Sequence, residues 1–432
     1  MMKKILFALA CATVVLSACD KPVEKPSWFT NETYFEEKDG MYEELPVCPG
    51  NIVMVGDDYI DRGLWNEFFN DTTFKNRGIT YDATEHVLYR IDKIAAGKPY
   101  KIFVSAGFND VLHGTPADEI VANVQQIFKR IHKKSPDTKC YWMNIVGGAT
   151  LSEEQKATVE AVNEKVAEGA QNGGFEVVDI ASALRDGVNE GTYSWDGGKL
   201  LNGEGYTALA KVLEPYVDRT SRMLPNDQED ALEVSDYYKH RVSMFRAIRP
   251  VGGRIIMLGN SLMNNGPWNE LFPMGYVINR GISGDVVAGV NQRVEEVIRY
   301  KPVKIYLITG TNDFVNDPNV SAIEVWEKYE HLIKDLREKT APTTLLVFST
   351  LPLNPKSKFY EGFNERAAEL NKLLSSAASR YGYFYIDIAK ELSDENGDLR
   401  SEYTTDGIHL NAIGYFVWAT ELAKGNRMLR DL

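Results

Sequence analysis

The strongest constraint on the fold is an internal repeat. When Asp58 is aligned with Ser261, an offset of 203 residues (261 minus 58), three pairs of segments match without a gap. The pairs are "NIVMVGDDYIDRGLWNEFF" (Asn51–Phe69) with "IIMLGNSLMNNGPWNELF" (Ile255–Phe272), "NRGIT" (Asn76–Thr80) with "NRGIS" (Asn279–Ser283), and "GFND" (Gly107–Asp110) with "GTND" (Gly310–Asp313). Chance similarity does not hold register over such a length. The 432-residue chain is therefore a tandem duplication, in agreement with the two domains of about 200 residues that its length favours.

Each copy alternates apolar, strand-like runs with helix-length segments. The runs are "NIVMV", "KIFVSA", "CYWMNIV" and "FEVVDI" in the first copy, and "RIIML", "KIYLIT", "TTLLVFS" and "YFYIDI" in the second. The amphipathic segment Ser321–Lys339 is one of the helices predicted between them. Strands that alternate with helices form a parallel sheet covered on both faces. We therefore predict the α/β class, with two tandem three-layer α/β/α domains, each on a mainly parallel sheet.

The boundary between the copies falls in a polar stretch that contains a proline, residues 222–230, which is predicted to be a linker. The first domain then covers residues 34–221 and the second covers residues 231–432. A helix predicted at Tyr34–Leu45 leads into the first domain, and its counterpart at Ala231–Ile248 leads into the second. We expect the two domains to pack against each other.

The N-terminus is typical of a bacterial lipoprotein. Residues 1–18 combine a positive start, an apolar run and the sequence "LSAC", which ends at Cys19. We predict that this signal peptide is cleaved, that Cys19 is lipidated and that residues 19–33 form a tether, so that the protein is exported and held on a membrane by its lipid anchor only. An ordinary secretory signal is the alternative, and it also implies export. Cys48 and Cys140 form a disulfide or remain two separate thiols.

The charge of the chain excludes one large class of partner. Its formal net charge of -13 and pI of about 5.1 provide no basic surface to gather phosphates. Nucleic-acid binding is therefore not expected as the main function. Acidity by itself identifies no substrate.

Two short motifs in the second copy point to nucleophilic catalysis. A strand that ends in "GNS", at Ser261, places a hydroxyl on the sharp turn between a strand and a helix. Near the end of the copy, Asp406 and His409 lie three residues apart, so the carboxylate can orient the imidazole while the imidazole takes a proton from Ser261. A capping serine, a capping aspartate and a surface histidine are the structural alternative.

These residues resemble the SGNH, or GDSL-like, esterase and lipase family. The resemblance covers four blocks in order: "GNSL" (Gly259–Leu262), "NRGISGD" around Gly281, "GTND" (Gly310–Asp313) and "DGIH" (Asp406–His409). It implies a flavodoxin-like α/β/α fold, with Ser261 as nucleophile, His409 as general base and acid, and Asp406 as the orienting acid. The backbone N–H groups of Ser261 and Gly281 and the side chain of Asn312 are expected to form the oxyanion hole. Asn260 stands where the family usually has Asp.

The first copy lacks this catalytic set. The equivalents of the site residues in the first copy are Asp58, Gly78, Asn109, Asp196 and either Lys199 or Leu200. A carboxylate at position 58 would repel an oxyanion, and no histidine aligns with His409, so we predict an inactive domain. If Lys199 takes the histidine position, it is expected to pair with Asp58. The copy could stabilise the active domain, bind a ligand without cleaving it, or hold a cation through Asp58 and Asp110.

By this resemblance the chain is an exported serine esterase that removes a short acyl group through an acyl-enzyme on Ser261. The leading substrate is an acetyl ester on carbohydrate, or another small ester. The resemblance implies no metal and no cofactor. A lysophospholipase or short-chain lipase is the alternative within the family, and a non-catalytic glycan-binding lipoprotein is the alternative outside it.

Overall fold

The structure is a computed structural model that describes residues 23–224, 235–273 and 277–425. The predicted signal peptide, Cys19, the start of the tether and most of the linker lie outside these ranges. Within them, no helix combines the length and apolarity that a bilayer crossing requires. Cys48 is exposed and Cys140 is buried, and both thiols are free, so the second of the two cysteine alternatives holds.

The first copy folds around a five-stranded parallel sheet in the order β2-β1-β3-β4-β5. Its strands are β1 (Ile52–Gly56), β2 (Phe74–Gly78), β3 (Lys101–Ser105), β4 (Lys139–Met143) and β5 (Glu176–Val178). Its helices are α1 (Glu32–Glu44), α2 (Asp58–Arg62), α3 (Trp65–Phe68), α4 (Thr84–Ala96), α5 (Phe108–His113), α6 (Ala117–Lys134), α7 (Glu153–Gly173), α8 (Ala181–Asn189) and α9 (Gly203–Val217). This strand order is that of flavodoxin-like sheets.

The second copy repeats the arrangement, with strand order β10-β9-β8-β6-β7 and parallel pairing throughout. Its strands are β6 (Ile255–Gly259), β7 (Val277–Gly281), β8 (Lys304–Ile308), β9 (Thr344–Phe348) and β10 (Phe384–Ile386). Its helices are α10 (Asp236–Ala247), α11 (Ser261–Asn265), α12 (Trp268–Leu271), α13 (Val287–Gln292), α14 (Val294–Ile298), α15 (Thr311–Asn316), α16 (Ala322–Lys339), α17 (Phe363–Tyr381), α18 (Ile388–Leu392) and α19 (Ala412–Gly425), with a 3-10 turn at Ser401–Tyr403. The predicted fold class is confirmed.

The central strands of each sheet are buried on both faces because they are almost entirely apolar. In β6, Ile256 and Leu258 join the core beneath α13, α16 and α17, while Ile255 and Met257 join the core beneath α18 and α19. Such continuous apolar runs are expected of a sheet covered by two helical layers. With a layer of helices on each face of its sheet, each domain is an α/β/α sandwich.

One strand of each copy, β2 and β7, was missed by the sequence analysis because its residues do not form an apolar run. Both strands carry an asparagine that ties them to the neighbouring turn. Asn76 Nδ2 donates to the carbonyls of Ile60, Asp61 and Gly63, and Asn279 Nδ2 makes the three equivalent contacts in the second copy. The "NRG" motif therefore fixes the short helix that begins at position 58 in the first copy and at position 261 in the second.

The helices that lead into the two copies are exchanged between them. From α1, Met41 and Leu45 are buried in the core of the second domain, whereas from α10, Met244 and Phe245 are buried in the core of the first. Helix α1 also contacts its own domain, where the Tyr42 hydroxyl donates to Gly78 O at 2.8 Å. The expected packing of the two domains is therefore an interlocked one.

Candidate active site

Ser261 lies at the turn between β6 and α11, at the carboxyl edge of the second sheet. Gly259 precedes this turn with φ of +149°, and a Cβ at that position would lie 1.8 Å from Ile308 O. Only glycine allows the two strands to approach so closely. Asn260 caps α11, because its Oδ1 accepts the N–H of Leu262 at 3.1 Å. The hydroxyl of Ser261 is thereby presented at the top of the sheet.

Ser261, His409 and Asp406 form one hydrogen-bonded chain. His409 Nε2 lies 2.9 Å from Ser261 Oγ, and His409 Nδ1 lies 2.6 Å from Asp406 Oδ2. The second carboxylate oxygen, Oδ1, accepts the backbone N–H groups of Ile408 and His409, each at 2.8 Å. With the ring proton on Nδ1, Nε2 is free to accept the serine proton. The structure thus brings together the three residues that the sequence analysis selected.

The electrostatics of the pair favour a charged imidazole beside a charged carboxylate. Burial alone would raise the pKa of the Asp406 carboxyl, but the hydrogen bond and charge of His409 and two backbone N–H groups lower it to about 2. Burial alone would lower the pKa of the His409 imidazole, but the hydrogen bond and charge of Asp406 outweigh it and raise this pKa above 6.5. Asp406 can therefore stabilise the imidazolium that a proton transfer from Ser261 would create.

Gly281, which was predicted to supply one amide of the oxyanion hole, has a different role. Its N–H donates to Asn279 Oδ1 at 2.8 Å, so it is not available to an oxyanion. A Cβ at position 281 would lie 2.1 Å from the backbone N of Asn264, which explains why glycine is required there. Gly78 has the same two properties in the first copy, with its N–H donating to Asn76 Oδ1. The predicted role of Gly281 is therefore wrong.

Gly284 is the residue whose backbone N–H fits the place of the second amide donor in the oxyanion hole. It lines the same cleft as Ser261 and Asn312, has φ of +83° and has open space beside its Cα. Asn312 extends from α15, where its Nδ2 donates to Asp285 O at 2.8 Å. The sequence alone did not single out Gly284, but the offset of 203 aligns it with Tyr81 (284 minus 81), whose backbone N–H contacts Asp58 in the first copy.

In the first copy, the carboxylate of Asp58 occupies the place of an oxyanion. Asp58 Oδ2 accepts the backbone N–H of Tyr81 and the Nδ2 of Asn109, both at 3.0 Å. Burial raises the pKa of the Asp58 carboxyl above its usual value, although the hydrogen bonds from Asn109 and Tyr81 oppose the shift. The N–H of Tyr81 and the side-chain amide of Asn109 therefore bind Asp58 in the first copy. Their counterparts in the second copy, Gly284 and Asn312, line the cleft.

Leu200, and not Lys199, stands at the position of His409. Asp196 Oδ1 accepts the N–H groups of Lys199 and Leu200 at 3.1 and 3.0 Å, as Asp406 Oδ1 accepts those of Ile408 and His409. The additional glycine in "DGGK" shifts the chain by one residue. Lys199 and Asp58 both lie in the described part of the chain and form no ion pair within 4 Å, so the predicted pairing is wrong.

The cation hypothesis for the first copy also fails. Asp110 does not face Asp58 across an open site, because its two carboxylate oxygens accept the N–H and the hydroxyl of Thr84 at 2.8 and 2.6 Å. Within the described ranges, no group of three or more His, Cys, Asp or Glu side chains could hold a metal ion.

The two sites open into one cleft of about 800 Å³ at the junction of the domains. Ser261 and His409 lie on one side of it, and Asp58 and Leu200 lie on the other. Helix α1 contributes Glu37, and α10 contributes Tyr237. The sequence analysis did not anticipate these two residues, because they come from helices that precede the motifs of each copy.

A hydroxyl, an imidazole and a carboxylate in one chain at the carboxyl edge of a parallel sheet define a serine-hydrolase type of site. The model of the GDSL-like lipase/acylhydrolase family matches residues 55–208 and 258–416, one match in each domain. The chain therefore belongs to the GDSL-like lipase/acylhydrolase family, and its class of activity is carboxylic ester hydrolysis.

Several known proteins are similar to single copies of the repeat. The platelet-activating factor acetylhydrolase IB subunit beta homolog of Drosophila melanogaster is 26% identical over 188 residues, 41% of this chain and 78% of that protein. Subunit alpha1 of the same acetylhydrolase from Bos taurus is 24% identical over 187 residues, with the same coverage, 41% and 78%. The solved structure of a GDSL-like lipase from Bacteroides thetaiotaomicron is 21% identical, with a TM-score of 0.39, and covers 45% of this chain and 98% of its own.

Proposed function

We propose that the protein removes short acyl groups from carbohydrate, with acetyl as the preferred group. The observation that carries this proposal is the unbroken hydrogen-bonded chain from Ser261 through His409 to Asp406. In the acylation step, Ser261 Oγ attacks the ester carbonyl carbon while His409 Nε2 takes the hydroxyl proton. The bond to the alcohol oxygen then breaks, and His409 returns the proton to the departing alkoxide.

The acyl-enzyme is resolved by water. His409 takes a proton from the attacking water, the carboxylic acid leaves, and Ser261 regains its proton. In both steps, the N–H groups of Ser261 and Gly284 and the Nδ2 of Asn312 hold the negative charge on the carbonyl oxygen. Preorganised donors of this kind are each worth about 3 kcal/mol of transition-state stabilisation.

Two observations support a small acyl group on a polar alcohol. The similar Drosophila and bovine proteins are acetylhydrolases by name. Most side chains along the cleft carry a hydroxyl, amide or charged group; the larger apolar side chains there are Leu200, Val315, Phe359 and Ile408. Together with the rings of the tyrosines in the cleft, these four residues provide the apolar contact for a short acyl chain. A lysophospholipase or short-chain lipase is the runner-up, and a preference for longer acyl chains would favour it.

We further propose that the first domain is catalytically inactive and that the mature protein is an exported lipoprotein anchored through Cys19. Asp58 in the anion position and Leu200 in the histidine position support the first statement. The sequence of residues 1–19 supports the second. An inactive first domain still contributes a wall of the cleft.

The test is ester hydrolysis by the chain from Asp20 onward, prepared without its lipid. Substrates are p-nitrophenyl acetate, butyrate and octanoate, and an acetylated glycan. We expect turnover that falls with acyl length, is abolished in Ser261→Ala and persists in the matched variant of the other copy, Asp58→Ala. Turnover that rises toward octanoate would favour the lipase. No turnover by a folded wild type would favour the glycan-binding alternative.

A further inference from the structure

Glu37 is an unusual residue in the cleft because it is buried without a complete set of partners. Its side chain is only 7% exposed, and its Oε1 is buried with no hydrogen-bond partner in the described part of the chain. A buried carboxyl oxygen without a hydrogen-bond partner is unfavourable, above all when the group is charged. The residue lines the cleft beside Asp406 and His409 although it belongs to the leading helix of the other copy.

The repeat supplies an internal comparison for this position. The offset of 203 aligns Glu37 with His240 (240 minus 37) on α10. His240 Nε2 accepts the N–H of Trp195 at 3.3 Å, and its Nδ1 donates to Asp236 O at 2.7 Å. Its ring also packs on the indole of Trp195, with centroids 5.0 Å apart. On the inactive side the equivalent residue is therefore fully engaged by protein groups.

In the second copy the position that corresponds to Trp195 carries no aromatic ring to pack on Glu37 as Trp195 packs on His240. Trp195 precedes Asp196, as Thr405 precedes Asp406, so an indole on the inactive side corresponds to a short, exposed side chain on the active side. Glu37 consequently lines the cleft without the indole that packs on its counterpart, at the site where the Ser261–His409–Asp406 chain is intact.

We infer that Glu37 is a specificity-determining residue of the active site, which binds a free hydroxyl on the alcohol part of the substrate. This inference rests on the proposed function and specifies its substrate class: an ester whose alcohol carries further hydroxyl groups, as a sugar does. The hydroxyl would bond to the carboxyl from the cleft that Glu37 lines and would supply a partner to a group whose Oε1 the protein leaves unpaired. The inactive domain thereby takes part in substrate selection through a residue of its leading helix.

The charge state of Glu37 favours a neutral hydroxyl over a cation as its partner. Burial raises the pKa of its carboxyl to about 7, and the negative charge of Asp406 adds to the rise, while His409, Lys356 and Lys38 oppose it. A carboxyl that is partly protonated near neutral pH both donates and accepts hydrogen bonds, and so does a hydroxyl. An ammonium group would require a fully ionised carboxylate.

The experiment compares three acetyl esters that differ in their alcohol. These are a monoacetylated methyl glycoside with free neighbouring hydroxyls, its fully O-methylated analogue, and p-nitrophenyl acetate. Each is assayed with wild type, Glu37→Met, Glu37→Gln and a control on the same helix, Glu44→Met, whose side chain is exposed. Methionine keeps the length of the side chain without the acceptor, and glutamine keeps an acceptor and a donor.

We expect Glu37→Met to lower kcat/KM for the hydroxylated glycoside about tenfold, which corresponds to one hydrogen bond to the substrate. The values for the other two esters should change less than about threefold, Glu37→Gln should restore most of the loss, and Glu44→Met should match wild type. Equal losses on all three esters, or no loss on any, would overturn the inference while leaving a Ser261-dependent esterase in place. A folded wild type that cleaves none of them would refute the proposed function, and this inference with it.

Discussion

Arg77 of the first domain and Glu270 of the second form a buried, two-pronged ion pair across the domain junction. The two guanidinium nitrogens Nη1 and Nη2 lie 2.7 and 3.0 Å from the two carboxylate oxygens, and the side chains are 1% and 6% exposed. The residues that align with this pair at the offset of 203 are Arg280 and Glu67. They form the reciprocal ion pair, in which Nη1 and Nη2 lie 3.2 and 2.7 Å from the two carboxylate oxygens. The junction therefore has the pseudo-two-fold arrangement of a symmetric dimer, in which the same patch is used on both sides.

Removing one partner of this pair should destabilise the protein strongly. Glu270→Leu leaves the Arg77 guanidinium buried without its counter-charge, and such a change typically costs about 3 to 5 kcal/mol. The double variant Arg77→Met, Glu270→Leu should lose less than the single variant, because the buried guanidinium is no longer stranded and only the more exposed Lys75 loses a partner. The midpoint of urea unfolding measures both, with Lys156→Ala, which breaks an exposed pair, as a control expected to change little. A double variant less stable than the single one would contradict this account.

The pH dependence of turnover should report His409. The imidazole must be neutral to take the serine proton, so kcat/KM should rise with pH through the His409 pKa, whose midpoint we expect above 6.5. Asp406→Asn removes the two largest interactions that raise this pKa, and leaves the burial that lowers it and the smaller effect of Glu37 that raises it. The midpoint should then move to lower pH, and kcat should fall by about 10⁴. An unchanged midpoint in Asp406→Asn would show that another group controls the profile.

The paired asparagines offer a matched test of the oxyanion hole. Asn312→Ala removes a donor from the open site and should lower kcat by about 10² to 10³ with little change in KM. Asn109→Ala removes the equivalent donor from the first copy, where it binds Asp58, and should leave kcat unchanged. Similar losses in both variants would indicate that the asparagines act through domain packing.

The first copy should regain activity only when its histidine is placed at position 200. In a Ser261→Ala background, Asp58→Ser with Leu200→His puts a hydroxyl, an imidazole and Asp196 in the order found in the second copy. We expect measurable cleavage of p-nitrophenyl acetate that depends on the new hydroxyl, so that Asp58→Ala in place of Asp58→Ser abolishes it. Asp58→Ser with Lys199→His is the control and should remain inactive. Activity in the control alone would mean that the one-residue shift has been assigned incorrectly.

The sequence was sufficient for the parts of the site that short motifs encode. Ser261, Asp406 and His409 were selected because their spacing and their place after apolar runs identify them, and the structure brings them within hydrogen-bond distance. The fold class followed from the alternation of strands and helices. The "NRG" strands were missed because their stability comes from the side chain of Asn76 or Asn279, which bonds three carbonyls, and not from an apolar pattern.

Other features depended on contacts that no local pattern encodes. The amide of Gly281 is used by Asn279 two residues earlier, and only the geometry reveals that Gly284 is left for an oxyanion. The gap beside Asp196 could not be placed by alignment, because Lys199 and Leu200 fit equally well until the backbone bonds to Asp196 were known. Glu37 was overlooked because it reaches the site from the other copy.

The exchange of α1 and α10 has a consequence for the independence of the two copies. Met41 and Leu45 belong by sequence to the copy without a nucleophile, yet they fill the interior of the copy that has one. A deletion of the first copy would strip the second of part of its interior and of Glu37. Because the helices are exchanged, neither copy can be removed without opening the interior of the other.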